Sequence, residues 1–178
     1  MKRWLILMSV GCLAFAGVAN AAVQMGDTEV DLLGGWTSQN MTDEQGGGSF
    51  DAWLISGAVG YFVTDNIQVQ GAGMWASIDP GSGSSIDVYG IGGRVKYHFM
   101  PTNQLVPYAG VQAMWASVDP GNGSVDGIMY GPVIGARYEL NDTNDFYAEY
   151  QYQLWSGDAG DYLDDGHMIV FGIVHQFK

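Results

Sequence analysis

The 178-residue chain has one cysteine, Cys12, and only six lysines and arginines against nineteen aspartates and glutamates. Each scarcity excludes something. A lone thiol closes no intramolecular disulfide, and Cys12 sits in an N-terminal apolar segment whose removal leaves no thiol chemistry at all. A formal net charge of −13 opposes nucleic acid and anionic headgroups, whereas acidic loops attract divalent cations. Past the N-terminus no stretch reaches about eighteen consecutive apolar residues, so no helical membrane anchor is expected.

Lys2 and Arg3 precede an apolar run from Trp4 to about Val18, followed by Ala19-Asn20-Ala21. This is the layout of a secretory signal peptide over residues 1–21, with cleavage expected after Ala21 and residues 22–178 forming one domain. Removing Lys2 and Arg3 leaves four cations against nineteen carboxylates, a mature charge of about −15. Ser9-Val10-Gly11 lacks the leucine usual before a lipidated cysteine, so lipid attachment at Cys12 is not expected.

Glycine (27 residues) and aromatic side chains (13%) are plentiful, which favours many short strands with tight connections over a helical bundle or a disordered chain. Eight segments alternate apolar and small or polar residues: 28–37, 52–63, 67–78, 86–99, 105–118, 125–140, 145–155 and 166–177. Three short connections, Thr64-Asp65-Asn66, Met100 to Gln104 and Asn141 to Asn144, alternate with four richer in Gly, Ser and Asp. Met74-Trp75-Ala76-Ser77-Ile78-Asp79-Pro80-Gly81 returns forty residues later as Met114-Trp115-Ala116-Ser117-Val118-Asp119-Pro120-Gly121, so two hairpins share one design. Two copies are too few for a propeller, which needs about four blades.

Three aromatic pairs, Trp53 with Tyr61, Tyr89 with Tyr97 and Tyr130 with Tyr138, stand eight residues apart on one face of their segments. At about 3.3 Å per residue and a tilt near 40°, that spacing climbs roughly 20 Å, close to the apolar band between two membrane interfaces. The pairs read as aromatic girdles of a transmembrane barrel. A Lys or Arg facing lipid near the midplane costs about 2–4 kcal/mol, so cations should face the lumen, and this fixes each strand's parity. Arg94, Lys96 and His98 then point inward with Gly90 and Gly92, leaving Tyr89, Ile91, Val95, Tyr97 and Phe99 outside. Arg137 and Glu139 point inward with Gly127, Gly131 and Gly135; Tyr147, Glu149 and Gln151, Glu29 and Asp31, and Gln68 and Gln70 follow. Glu29, Asp31, Arg94, Lys96, Arg137, Glu139 and Glu149 all fall toward the short-turn ends, where an ion-pair network is expected, because an unpaired buried charge is costly. Such a network either plugs the bore or lines a selective path.

The hairpin Gly60-Tyr61-Phe62-Val63-Thr64-Asp65-Asn66-Ile67-Gln68-Val69, the strand Val106-Pro107-Tyr108-Ala109-Gly110-Val111 and the ending Ile169-Val170-Phe171-Gly172-Ile173-Val174-His175-Gln176-Phe177 resemble the small outer-membrane β-barrel family of the OmpA transmembrane domain and OmpX. The resemblance covers the mature chain. It implies an all-β, eight-stranded antiparallel up-and-down transmembrane barrel in a Gram-negative-type outer membrane. It also implies outer-membrane lipid as surroundings, and periplasmic chaperones and the barrel-assembly machinery as partners in biogenesis. No cofactor is implied. A secreted β-sandwich or lipocalin-like barrel is the competing architecture, but such folds spread Lys and Glu along their wetted faces. Pro132, in mid-strand, predicts a bulge.

Catalysis is not expected. Among the three histidines, His167 is the best candidate for a general base, beside Asp164 and Asp165, with Ser156 in the same loop as a conceivable nucleophile for lipid A chemistry. Asp79 and Asp87, Asp119 and Asp126, and Asp161, Asp164 and Asp165 flank or fill outer loops, and are weak candidates for a divalent cation or a surface ligand. Their spacing matches no EF-hand, and no metal centre is expected.

Overall fold

A computed structural model describes residues 23–45, 47–78, 86–119 and 123–177. Residues 1–21 lie outside them, so the expected signal peptide and Cys12 are not described. Eight strands follow one another: β1 (Thr28–Met41), β2 (Ser49–Phe62), β3 (Ile67–Ile78), β4 (Ile86–His98), β5 (Leu105–Asp119), β6 (Val125–Asn141), β7 (Asn144–Gly157) and β8 (Leu163–Phe177). Each pairs antiparallel with its chain neighbours, and β1 pairs with β8, closing the sheet with no free edge.

The two-residue period decides inside from outside. In β1 the odd positions Glu29, Asp31, Leu33, Gly35, Thr37 and Gln39 are buried, while Val30 and Leu32 are exposed. The outer wall is apolar, with Trp53 76% and Ile91 66% exposed, and the interior holds the polar groups. This inverts a water-soluble barrel and rules out the lipocalin-like alternative.

The strands run beyond the segments drawn from the sequence. β1 continues to Met41 and β2 starts at Ser49, so the first long connection shrinks to residues 42–48, whose described residues hold one 3-10 turn at Asp43–Gln45. Gln39 is what hid this extension. Its amide faces inward, donating to Thr37 at 2.7 Å and to Gln153 and accepting from Trp155 at 2.8 Å. β8 likewise begins at Leu163, buried and paired with Met41.

No bulge forms at Pro132. Val111 stays opposite it on β5, and the β6–β7 register is the same at Tyr130–Leu154 and Val133–Gln151, on either side of the gap that Gly131 and Pro132 leave in that ladder. The register shifts lie instead between Gln39 and Met41 and between Glu139 and Asn141.

The bore divides into two storeys. Toward the long loops it is packed with Leu33, Ala52, Leu54, Ala76, Val88, Met114, Met129 and Met168. Toward the short turns it is polar, and there the candidate site lies.

Candidate functional site

β7 sets Tyr147, Glu149 and Gln151 on one inward row, and β4 sets Arg94 and Lys96 on another. Across the narrow bore the rows meet: Lys96 Nζ stands 3.0 Å from Glu149 Oε2, and Arg94 Nη1 stands 3.6 Å from Glu149 Oε1. Lys96 also donates to the Tyr147 hydroxyl at 2.6 Å, which donates onward to Glu149 at 2.5 Å. Gln151 completes the carboxylate's shell at 2.6 Å. The Lys96 ammonium lies 4.6 Å from the Tyr147 ring centre and 4.8 Å from that of Tyr108, so its charge is held by π faces as well as by an acid.

A second cluster sits beside the first. Arg137 on β6 reaches Glu29 on β1 at 2.8 Å through Nη1 and Asp145 on β7 at 2.6 Å through both Nη2 and Nε. Gln68 donates to Glu29, Gln70 donates to Glu29 at 3.2 Å and to Asp31 at 2.9 Å, and Gln176 donates to Asp145 at 2.8 Å. The guanidinium lies 5.8 Å from the Phe62 ring on β2. Charge-assisted contacts of this kind are the strong class of hydrogen bond, and fully shielded partners offset much of the cost of burying the ions.

The acid that sequence reasoning missed is Asp145. It shares parity with Tyr147 and Glu149, which was the available signal, but it stands at the very start of the segment 145–155 and was not counted among the network's acids. Glu139, expected in the set, is buried and pairs with Asp145 in the strand register, yet Arg137 makes its close ion pairs with Glu29 and Asp145. Asp31 points inward and is held by Gln70 alone through one oxygen; its Oδ1, Gln70 Oε1, Gln112 Oε1 and Arg94 Nε have no protein partner. Polar groups in such a setting are places where lumen water binds.

Glycine makes the crowding feasible. A β-carbon at Gly135 would sit 2.2 Å from the Tyr108 hydroxyl, and one at Gly60 would sit 2.7 Å from Gln68 Nε2.

On the outer wall Trp53 opposes Trp36, and Trp75 opposes Tyr89, forming with Tyr130 and Trp115 an aromatic row at the long-loop end. Tyr61, Tyr97 and Tyr138 stand at the opposite end, Tyr97 edge-on to Phe99 at 5.1 Å and Tyr138 opposite Phe146.

The loop acids are less gathered. Asp87 and Asp119 are register partners at the β4–β5 rim, Asp126 faces Ser117 across the β5–β6 ladder, and Asp161 and Asp164 are exposed. Asp79 lies outside the described residues. Among the described residues no three His, Cys, Asp or Glu side chains are arranged to hold a metal ion.

Nor does the structure bring together the residues weighed for catalysis. His167 Nδ1 is 2.6 Å from the Tyr150 hydroxyl, and its ring packs between Tyr150 and Tyr152. Asp165 instead accepts from Tyr152 and Asn40, each at 2.6 Å. Ser156 donates to the Ile128 carbonyl at 3.4 Å. His98 is buried between the Phe62 and Tyr108 rings with Nδ1 unpartnered, and His175 contacts Asn144 at 3.0 Å on the outer wall.

Solved structures share this fold at low sequence identity. The chain is similar to Neisserial surface protein A (TM-score 0.69, 18% identity, covering 85% of this chain and 97% of that one). It is also similar to the outer membrane protein OprG from Pseudomonas aeruginosa (TM-score 0.53, 12% identity, 88% and 98%). A third is Ail, the attachment invasion locus protein of Yersinia pestis, in complex with the heparin analogue sucrose octasulfate (TM-score 0.51, 13% identity, 84% and 99%). No curated protein sequence matches the chain. Residues 8–177 match the family described as outer membrane protein beta-barrel domain, and with a closed, inside-out eight-stranded barrel behind that match, the chain belongs to this family of integral outer-membrane proteins.

Proposed function

We propose that this protein is a structural or surface-interaction barrel of a Gram-negative-type outer membrane, its lumen plugged by the two ion-pair clusters, without intrinsic catalysis. The observation that carries the reading is the continuity of the polar layer. Glu29, Arg94, Lys96, Arg137, Asp145 and Glu149 are all buried and joined to one another or to Gln and Tyr side chains, with a layer of apolar side chains stacked on them. An ion crossing this layer would have to break charge-assisted bonds in a low-dielectric bore. The aromatic rows are the membrane girdles in this reading, outer-membrane lipid is the permanent partner, and the barrel-assembly machinery with periplasmic chaperones delivers the chain.

Any surface partner meets the acidic loops. None of the six Lys and Arg residues falls in the four long connections, so the outer face favours divalent cations or cationic partners and disfavours a sulfated polyanion of the kind bound to Ail. The cation association is diffuse, since the loop acids form no preformed cage among the described residues.

The test is planar-bilayer recording of the refolded chain. Silence is expected; steady single-channel conductance would replace the plug with a narrow small-solute or ion channel, the second reading that the unpartnered polar atoms of the bore, such as Asp31 Oδ1 and Gln112 Oε1, favour.

A further inference from the structure

The storey of the lumen nearer the long loops holds side chains that the ion pairs do not use. Met74, Met114, Met129 and Met168, from β3, β5, β6 and β8, face the bore, the last three exposed by 2% or less. Met114 and Met129 are direct cross-strand partners. Met74 and Met114 converge over Gly90, where a β-carbon would lie 2.9 Å from Met74 Cγ, 3.4 Å from its Sδ and 3.6 Å from Met114 Cε. Glycine at that position lets both thioethers enter.

Met74, Met129 and Met168 line a cavity of about 20 Å³ with Gln39, Gln153 and Trp155 among its other walls. That is room for one ion or one water, far below the ~150 Å³ of an apolar cavity that admits an aromatic ring. The polar neighbours are already partnered: Gln39 donates to Gln153, Trp155 Nε1 donates to Gln39 at 2.8 Å, and Gln153 Nε2 donates to one face of Met168 Sδ at 3.6 Å. A water needs about two to four polar partners and a hard cation needs several oxygens, and neither set is free here. The remaining walls include the apolar Phe50, Ala52, Ala76, Val88 and Leu163 and the three methionines, whose thioethers are the donor class that selects soft ions such as Cu(I). The charge below has the matching sign, because Glu29, Asp31, Glu139, Asp145 and Glu149 outnumber Arg94, Lys96 and Arg137 among the buried groups of the bore.

We propose that the cavity bounded by Met74, Met129 and Met168 is a binding site for a soft monovalent metal ion, Cu(I) or its redox-stable counterpart Ag(I). Packing alone would be met by leucine at these positions, so Met→Leu variants separate a filler from a ligand.

The refolded chain, carrying Cys12→Ser so that its one thiol cannot take silver, is titrated in detergent with silver nitrate in chloride-free buffer, with protein-bound silver measured by mass spectrometry after gel filtration and tryptophan emission followed in parallel. One saturable silver ion per chain is expected, with quenching of Trp155. The M74L/M129L/M168L variant, its folding checked by heat-dependent gel mobility, should lose that ion, while exposed Met25 and Met100 set the background. If the triple variant does not fold, Met129→Leu alone should weaken silver binding about tenfold or more, the scale on which even outer-shell partners of a metal act. No saturable silver on the Cys12→Ser chain, or undiminished binding in a folded variant, overturns the proposal.

Discussion

Lys96 and Glu149 meet at 3.0 Å with side chains exposed by 1% and 0%, and the Tyr147 hydroxyl, receiving from the amine at 2.6 Å and donating to the acid at 2.5 Å, ties them into one unit. Because Arg94 leans on the same carboxylate, Glu149 is the acid shared by two buried cations. Glu149→Gln keeps the shape and removes the charge. It should lower stability by about 3–5 kcal/mol, the cost of an unpaired buried charge, read from the urea midpoint in detergent by tryptophan fluorescence. Adding Lys96→Met should recover part of the loss, since it removes one stranded cation. Equal midpoints for the unmodified chain and Glu149→Gln would show that the pair contributes nothing.

Gly166 tests the upper storey. A β-carbon there would stand 2.1 Å from Gln39 Oε1, the oxygen that accepts from Trp155. Gly166→Ala should therefore push the amide out of its hydrogen bonds and cost about 1–3 kcal/mol. In Gln39→Ala the obstacle is gone, so the two changes together should cost less than their sum in a double-mutant cycle. Additive losses would mean that the glycine is required for its backbone alone.

The architecture was legible because both of its rules are local. Alternation with period two marks a strand whichever strand it pairs with, and the placement of three cations on one parity sets inside from outside without knowledge of the partner. Who pairs with whom across the bore is different. Arg137 lies 108 residues from Glu29 in sequence and meets it through barrel closure, while the nearer acid Glu139 sits on the same strand and the same face. Asp145, eight residues on, reaches Arg137 across the β6–β7 hairpin, and the register of that hairpin decides which acid the guanidinium meets. The end of β1 was missed for a related reason: Gln39, Gln153 and Thr37 satisfy one another inside the bore, so a buried stretch carries the polar composition of a loop, while the start of β8 lies beyond a register shift that interrupts its alternation. Pro132 misled because on the outer parity of β6 it leaves a gap in one ladder with no insertion in the strand.

The lipid-facing wall can be probed at two depths. Ile91, midway along β4 and 66% exposed, occupies the centre of the apolar band, and Tyr97 stands at its short-turn margin. Ile91→Arg should destabilise the barrel in lipid vesicles by about 2–4 kcal/mol and Tyr97→Arg by only about 0–1 kcal/mol from the charge itself. Reversible urea titration in vesicles measures both. A larger loss at Tyr97 than at Ile91 would displace the band from where the aromatic rows put it.

His167 offers the decisive test of the non-catalytic reading. A histidine base is normally aligned by a carboxylate and positioned against a nucleophile, each within about 3 Å. Here the imidazole Nδ1 is engaged by the Tyr150 hydroxyl at 2.6 Å, and Asp165 is held by Tyr152 and Asn40. Ser156 is tied to the Ile128 carbonyl, and three residues of strand separate it from Tyr152, the cross-strand partner of His167. The ring therefore serves as one plate of an aromatic stack on the outer wall, worth about 0.5–1.5 kcal/mol beyond its area. Lipid A extracted from cells producing the protein should give the same mass spectrum as lipid A from cells lacking it, and His167→Ala should shift only the unfolding midpoint. A new lipid A mass that appears with the unmodified chain and vanishes in His167→Ala would make this barrel an enzyme.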